Sequence, residues 1–191
     1  MTEAFESDAN VKRKIVPFVL CVLAIYLGGL ACARGTPTRS FSHAEFRFEY
    51  PSAWQTMSEL WGTHQLQANY YGLEAEELAA LTSVRKRGEM GIWFSVAKRP
   101  LGDTSLSTLV ENLYANAQPA VADLERSTRQ VGGQEAITVR YRRPWGEPWW
   151  EFYDLWLEKD GSAFLLSFHA LSLDSYTADI DLILQSFSFQ P

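Results

Sequence analysis

The chain has 191 residues, with 17 Lys and Arg against 23 Asp and Glu, a formal net charge of −6, and 14% aromatic residues. Three basic and three acidic residues lie within the first 33, so the whole negative excess belongs to the remainder, which argues against nucleic acid as a partner. Both cysteines, Cys21 and Cys32, also fall in that first part, leaving the rest without a disulfide, a thiol nucleophile or a thiolate metal site.

Lys12, Arg13 and Lys14 run directly into an apolar stretch over residues 15–31 that ends at Cys32. A cationic flank followed by an apolar segment is an export or anchoring signal, so the remainder is expected outside the cytoplasm. Three fates fit. Gly29-Leu30-Ala31-Cys32 resembles a bacterial lipoprotein signal, departing from it at Gly29, and would make Cys32 the acylated residue. Ala31-Cys32-Ala33 also has the small-x-small form of a cleavage site. Uncleaved, residues 15–33 would rise about 28 Å as a helix, nearly the thickness of the hydrocarbon core. Residues 1–33 are therefore read as a signal sequence or membrane anchor, 34–40 as a polar spacer, and 41–190 as one domain.

In that domain, Phe46-Arg47-Phe48-Glu49-Tyr50 alternates apolar and charged residues as a half-buried strand does, and Pro51 stops it. Trp54 is a candidate core residue. Residues 73–78 favour a helical turn, although Asn69-Tyr70-Tyr71-Gly72 interrupts any long periodicity. Residues 80–86 and 91–97 form a candidate hairpin around Gly88 and Gly91, closed by Arg99-Pro100. Ser107 or Thr108 is expected to cap a helix with Leu109, Val110, Leu113 and Ala117 on one face and Glu111 completing a capping box, ending near Pro119 or Asp123. Residues 126–131 and 136–141 pair across Gly132-Gly133, with Ile137, Val139 and Tyr141 on one face. A last hairpin joins residues 149–158 and 162–171 through Asp160-Gly161. Asp174 then opens a helix carrying Ile180, Ile183 and Leu184. This order predicts an α+β domain with one antiparallel sheet and helices packed against it.

Phe46-x-Phe48-x-Tyr50-Pro51-x-x-Trp54 resembles the opening strand of PsbP-like domains. Gly133-Gln134-Glu135-Ala136 is similar to that family's entry to a central strand, Trp156-Leu157-Glu158-Lys159-Asp160-Gly161 to its late hairpin, and Ser186-Phe187 to the end of its final helix. The resemblance covers about residues 41–190. It implies a PsbP-like α/β/α sandwich, a central antiparallel sheet flanked by helices. The family includes extrinsic photosystem II subunits and many bacterial lipoproteins, which resemble one another as docking modules and not as enzymes; none of its metal or chloride-retention residues is matched here.

Few residues point to chemistry. His43, His64 and His169 are far apart and lack metal-ligand spacing. His169 lies opposite the side of its strand that carries Phe164, Leu166 and Phe168, as a satisfied edge or surface histidine would. Asp174, Asp179 and Asp181 lack the glycine and the alternation of a calcium loop. Neither a Gly-x-Ser-x-Gly elbow nor a phosphate-binding glycine loop is present. No catalytic residue, metal or cofactor is assigned, and an enzyme is not expected.

The segment 140–150, Arg-Tyr-Arg-Arg-Pro-Trp-Gly-Glu-Pro-Trp-Trp, combines arginine and tryptophan on a proline-interrupted connection. Indole rings bury large area at small entropy cost, and guanidinium stacks or forks to carboxylates, so this is the composition of a binding hot spot. Arg142, Arg143, Trp145, Trp149 and Trp150 are the candidate partner-binding residues; packing of Trp149 into the following strand, or a place at the lipid interface, explains the same residues. The sequence thus predicts an exported, membrane-tethered, non-catalytic binding module, an accessory or assembly factor for an envelope or membrane protein complex. A lipoprotein holding a small apolar ligand is the alternative.

Overall fold

Strand pairing organises the described part of the computed structural model, which comprises residues 36–56, 68–70, 73–86, 89–117, 120–144 and 148–191. In chain order the elements are β1 (Thr38–Ser42), β2 (Phe46–Pro51), β3 (Trp54–Thr56), β4 (Ala68–Tyr70), β5 (Leu73–Lys86), β6 (Glu89–Pro100), α1 (Leu106–Ala115), β7 (Ala122–Val131), β8 (Gln134–Pro144), β9 (Trp149–Lys159), β10 (Ser162–Ala170), a 3-10 turn (Asp174–Tyr176), α2 (Thr177–Ser186) and β11 (Ser188–Phe189). Pro37–Pro191 forms one compact unit. The expectations for residues 1–33, including acylation of Cys32, and for Trp145 lie outside the described residues. Among those described, no helix is long and apolar enough to cross a membrane.

The large sheet runs β3-β5-β6-β10-β9-β8-β7, with β4 added beside β5, and a small sheet runs β1-β2-β11. Every pairing is antiparallel. Two turns were legible as such: Gly132 and Gly133 take φ of 58° and 79°, and Asp160 and Gly161 take 51° and 70°, the left-handed conformations that a two-residue hairpin demands. At Gly91 the reason for glycine is space. A Cβ there would lie 1.9 Å from the Ser83 carbonyl oxygen, where the β5–β6 register shifts between Thr82 and Val84.

The expected sandwich of one sheet flanked by helices is overturned. The described residues are mostly β, and among them lie two antiparallel sheets and two α-helices of ten residues each. One face of the large sheet is covered chiefly by the small sheet, because the alternation in β2 turns Phe46, Phe48 and Tyr50 inward while Arg47 and Glu49 stay exposed. Phe48 meets Phe94 edge-on at 5.2 Å, and Phe94 stacks on Phe168 at 4.5 Å, geometries that add to the burial of the rings themselves. α2 closes the same core with Ile180, Ile183 and Leu184. The opposite face carries a second core, in which α1 lays Leu106, Val110, Leu113 and Tyr114 on Val139, Tyr141, Trp150, Phe152 and Trp156.

Three local expectations also change. Leu73–Lys86 is a strand, not a helical turn; its Glu, Ala and Leu residues favour helix, but pairing along β6 overrides that preference. α1 is capped by Ser105, whose hydroxyl accepts from the Thr108 amide at 3.2 Å, and it stops at Asn116, well before Pro119. Thr38, Arg39 and Ser40, read as spacer, belong to β1 and pair with β2.

Candidate functional site

The β8–β9 pair brings the candidate residues together in register. Arg143 faces Trp150, Arg142 faces Glu151 and Pro144 faces Trp149. Trp149 and Trp150 therefore belong to a strand and not to the connection, and the period of two sends them to opposite sides. Trp149 is 48% exposed, whereas Trp150 is 5% exposed and part of the second core. The exposed face holds Arg142, with its guanidinium carbon 6.0 Å from the centre of the Trp149 ring, within the range of a cation–π contact. Arg142 also forms an ion pair with Asp123, a residue in left-handed conformation with φ 52° at an irregularity of the β7–β8 register. Further along the same face, Arg140 lies 5.4 Å above the Tyr153 ring and 3.8 Å from Asp174, and Arg129 donates to Asp181 at 2.8 Å.

The inward side is aromatic. Trp150 meets His169 edge-on at 6.0 Å, and His169 stacks on Phe152 at 5.1 Å and on Trp93 at 6.0 Å. His169 is thus not at an edge or on the surface: β10 is an inner strand, and the residue is buried. Burial pushes its pKa down to about 3, so the ring is neutral at ordinary pH.

Beside it lies a carboxylate that periodicity and motif reading missed. Asp154 is fully buried under α1. Its Oδ2 accepts from Tyr114 Oη at 2.5 Å and Tyr141 Oη at 2.9 Å, and its Oδ1 accepts from Ser167 Oγ at 2.5 Å. Trp156 Nε1 donates in turn to Tyr114 Oη at 3.0 Å. Burial pushes the Asp154 pKa up to about 6, against the opposing pull of the Ser167 and Tyr114 hydrogen bonds and the Arg143 charge. The available signal was a single acid between Phe152 and Trp156 at an inward position of the strand, where its nearest neighbours on that side are aromatic. Sealed from solvent, this network positions α1 on the sheet.

A second displaced acid is Glu77 on β5, opposite Ala97, whose pKa burial raises to about 7. Nearby, Ala75, Ala97, Trp156 and Leu165 line a cavity of about 10 Å³, room for one water molecule. Among the described residues, no three His, Cys, Asp or Glu side chains cluster as metal ligands.

Known proteins resemble this arrangement in fold. Cyanobacterial PsbP (CyanoP) from Synechocystis sp. PCC 6803 superposes with a TM-score of 0.56 at 14% identity, over 83% of this chain and 96% of that one. The Saccharomyces cerevisiae Ran-binding protein Mog1p gives a TM-score of 0.50 at 11% identity, over 80% of this chain and 95% of that one. The fold is therefore PsbP-like. No protein-family model matches the chain, and no curated protein sequence matches it.

Proposed function

We propose that this protein is an exported, membrane-tethered binding module without catalytic activity, an accessory or assembly factor that docks on an envelope or membrane protein. The observation that carries this reading is the half-exposed Trp149 ring under the Arg142 guanidinium. A rigid strand pair presents an aromatic surface and a cation together, and hot spots are built from these residue types on preorganised elements. The cationic flank and the apolar segment before Cys32 support export and tethering. A fold shared with a protein named for Ran binding supports a binding role, at the level of fold alone. Holding an apolar ligand instead would require a cavity of hundreds of cubic ångströms, and the one described above, lined by residues of β5, β6, β9 and β10, is far smaller.

The test is in-cell crosslinking of the full-length tagged protein in its native host, with wild type compared against Trp149→Ala and Arg142→Ala. A defined partner captured by wild type and depleted in both variants supports docking at this surface. Equal recovery from all three, with each variant folded, removes Trp149 and Arg142 from any interface.

A further inference from the structure

The longest exposed strand in the described structure is also an edge. β7 bonds only to β8 among the described residues, and all of Asp123, Leu124, Glu125, Arg126, Ser127 and Thr128 are exposed. Its outer N–H and C=O groups form a template for another strand. Edges are often guarded by bulges and charges, and the irregularity between Ala122 and Glu125 does guard the first residues. From Glu125 to Val131 the register is regular, so the charges on that stretch decide what can pair there.

We propose that two copies of this chain pair through β7, antiparallel about a two-fold axis at Ser127, joining the two large sheets into one continuous sheet. Across such an axis, residues that face each other point to the same side of the sheet, so the axis must pass through a residue position. Centring on Ser127 sets Glu125 opposite Arg129 of the partner subunit and Arg129 opposite the partner's Glu125, with Arg126 opposite the partner's Thr128. Centring on Arg126 or Glu125 sets like charges face to face, which is unfavourable in a strand pair. Centring on Thr128 leaves every charge opposite an uncharged residue. The sequence of this edge thus matches itself in one register.

Arg129 can accommodate the second carboxylate. It already donates to Asp181, but its side chain is 34% exposed, and a guanidinium has five donors. Ion pairs at such exposure contribute little affinity. They fix the register, while the backbone ladder holds the strands together.

The test is sedimentation of the full chain in detergent micelles over a wide concentration range, for wild type, Glu125→Arg, Arg129→Glu and an equimolar mixture of the two variants. Each variant alone sets like charges opposite each other twice, whereas the mixture restores both opposite pairs. The expected result is concentration-dependent dimer for wild type, a weaker dimer for each variant alone, and wild-type dimerisation recovered in the mixture. A wild type that stays monomeric, or single variants that dimerise as well as wild type, overturns the proposal. Because Arg129→Glu also loses its bond to Asp181, a second measurement avoids that residue. With Cys21 and Cys32 replaced by Ser, Ser127→Cys is expected to form an intermolecular disulfide, since directly opposed strand residues lie about 4.5–5.5 Å apart at Cα, inside the disulfide range. Thr128→Cys, off the axis, is expected to form none; equal crosslinking of both variants counts against the register.

Discussion

Tyr114 on α1 and Asp154 on β9, 40 positions apart in sequence, are joined by a hydrogen bond of 2.5 Å that is closed to solvent. The tyrosine hydroxyl also receives the Trp156 indole N–H, so it links helix to sheet at the centre of the second core. Tyr114→Phe keeps the ring and removes both bonds. At pH 7 the carboxylate, with a pKa of about 6, is mostly ionised, and a hydrogen bond to a charged group contributes about 1.5–3 kcal/mol. Urea unfolding should show a loss of that size at pH 7 and a smaller one at pH 5, where Asp154 holds a proton. An equal loss at both would mean that the carboxylate's charge has no part in the link.

The same residue gives the domain a pH dependence of unusual sign. A carboxyl whose pKa is higher in the folded than in the unfolded protein holds more protons when folded, so its contribution is fully present below about pH 4 and is lost as pH rises through about 6. The displacement from the ordinary aspartate value to about 6 corresponds to on the order of 3 kcal/mol. Glu77, raised to about 7, acts in the same direction at slightly higher pH, whereas His169, lowered to about 3, adds stability as pH rises towards the unfolded value of 6.5. The difference between wild type and Asp154→Asn isolates one group from the others. Measured by urea unfolding from pH 4 to pH 7, that difference should move against wild type by a few kcal/mol. A constant difference would place the Asp154 pKa at its ordinary value.

The elements that were legible in the sequence are those whose cause is local. Alternation in β2, the glycine and Asp160-Gly161 turns, and the apolar spacing of α2 each act within a few residues. What was not legible depends on neighbours distant in the chain. Leu73–Lys86 becomes a strand because β6 lies beside it, and the second layer is a sheet because β11 returns to β2 from the far end of the chain. The arginine and tryptophan of the candidate site were visible as composition, but which tryptophan faces out follows only from the β8–β9 register. Asp154 escaped notice because a lone acid in an aromatic strand carries no motif, and its three partners come from α1, β8 and β10.

Because adjacent strand positions face opposite ways, Trp149 and Trp150 separate binding from stability. Trp150→Ala empties a site in the second core and should cost about 3–5 kcal/mol, read as a lower urea midpoint with an unchanged slope. Trp149→Ala removes a ring that is 48% exposed, so a change within about 1 kcal/mol is expected. Partner recovery from the folded Trp149→Ala protein should nevertheless fall. Comparable destabilisation by the two substitutions would instead make Trp149 a packing residue.

Gly91 is a test of the bulge between β5 and β6. Its absent side chain admits the Ser83 carbonyl oxygen, and the Ser83 hydroxyl accepts the Ile92 amide at 3.1 Å in the same turn of backbone. Any Cβ would overlap main chain, which cannot rotate away, so Gly91→Ala should force the strands apart and cost at least about 1–3 kcal/mol. Ser83→Ala removes only the hydroxyl, and the double variant should stay as unstable as Gly91→Ala, because the clash is with the carbonyl. Thermal unfolding of the three proteins checks this order. Recovery of stability in the double variant would assign the clash to the hydroxyl, which a Cβ would approach to 2.2 Å, and the backbone would then be free to yield.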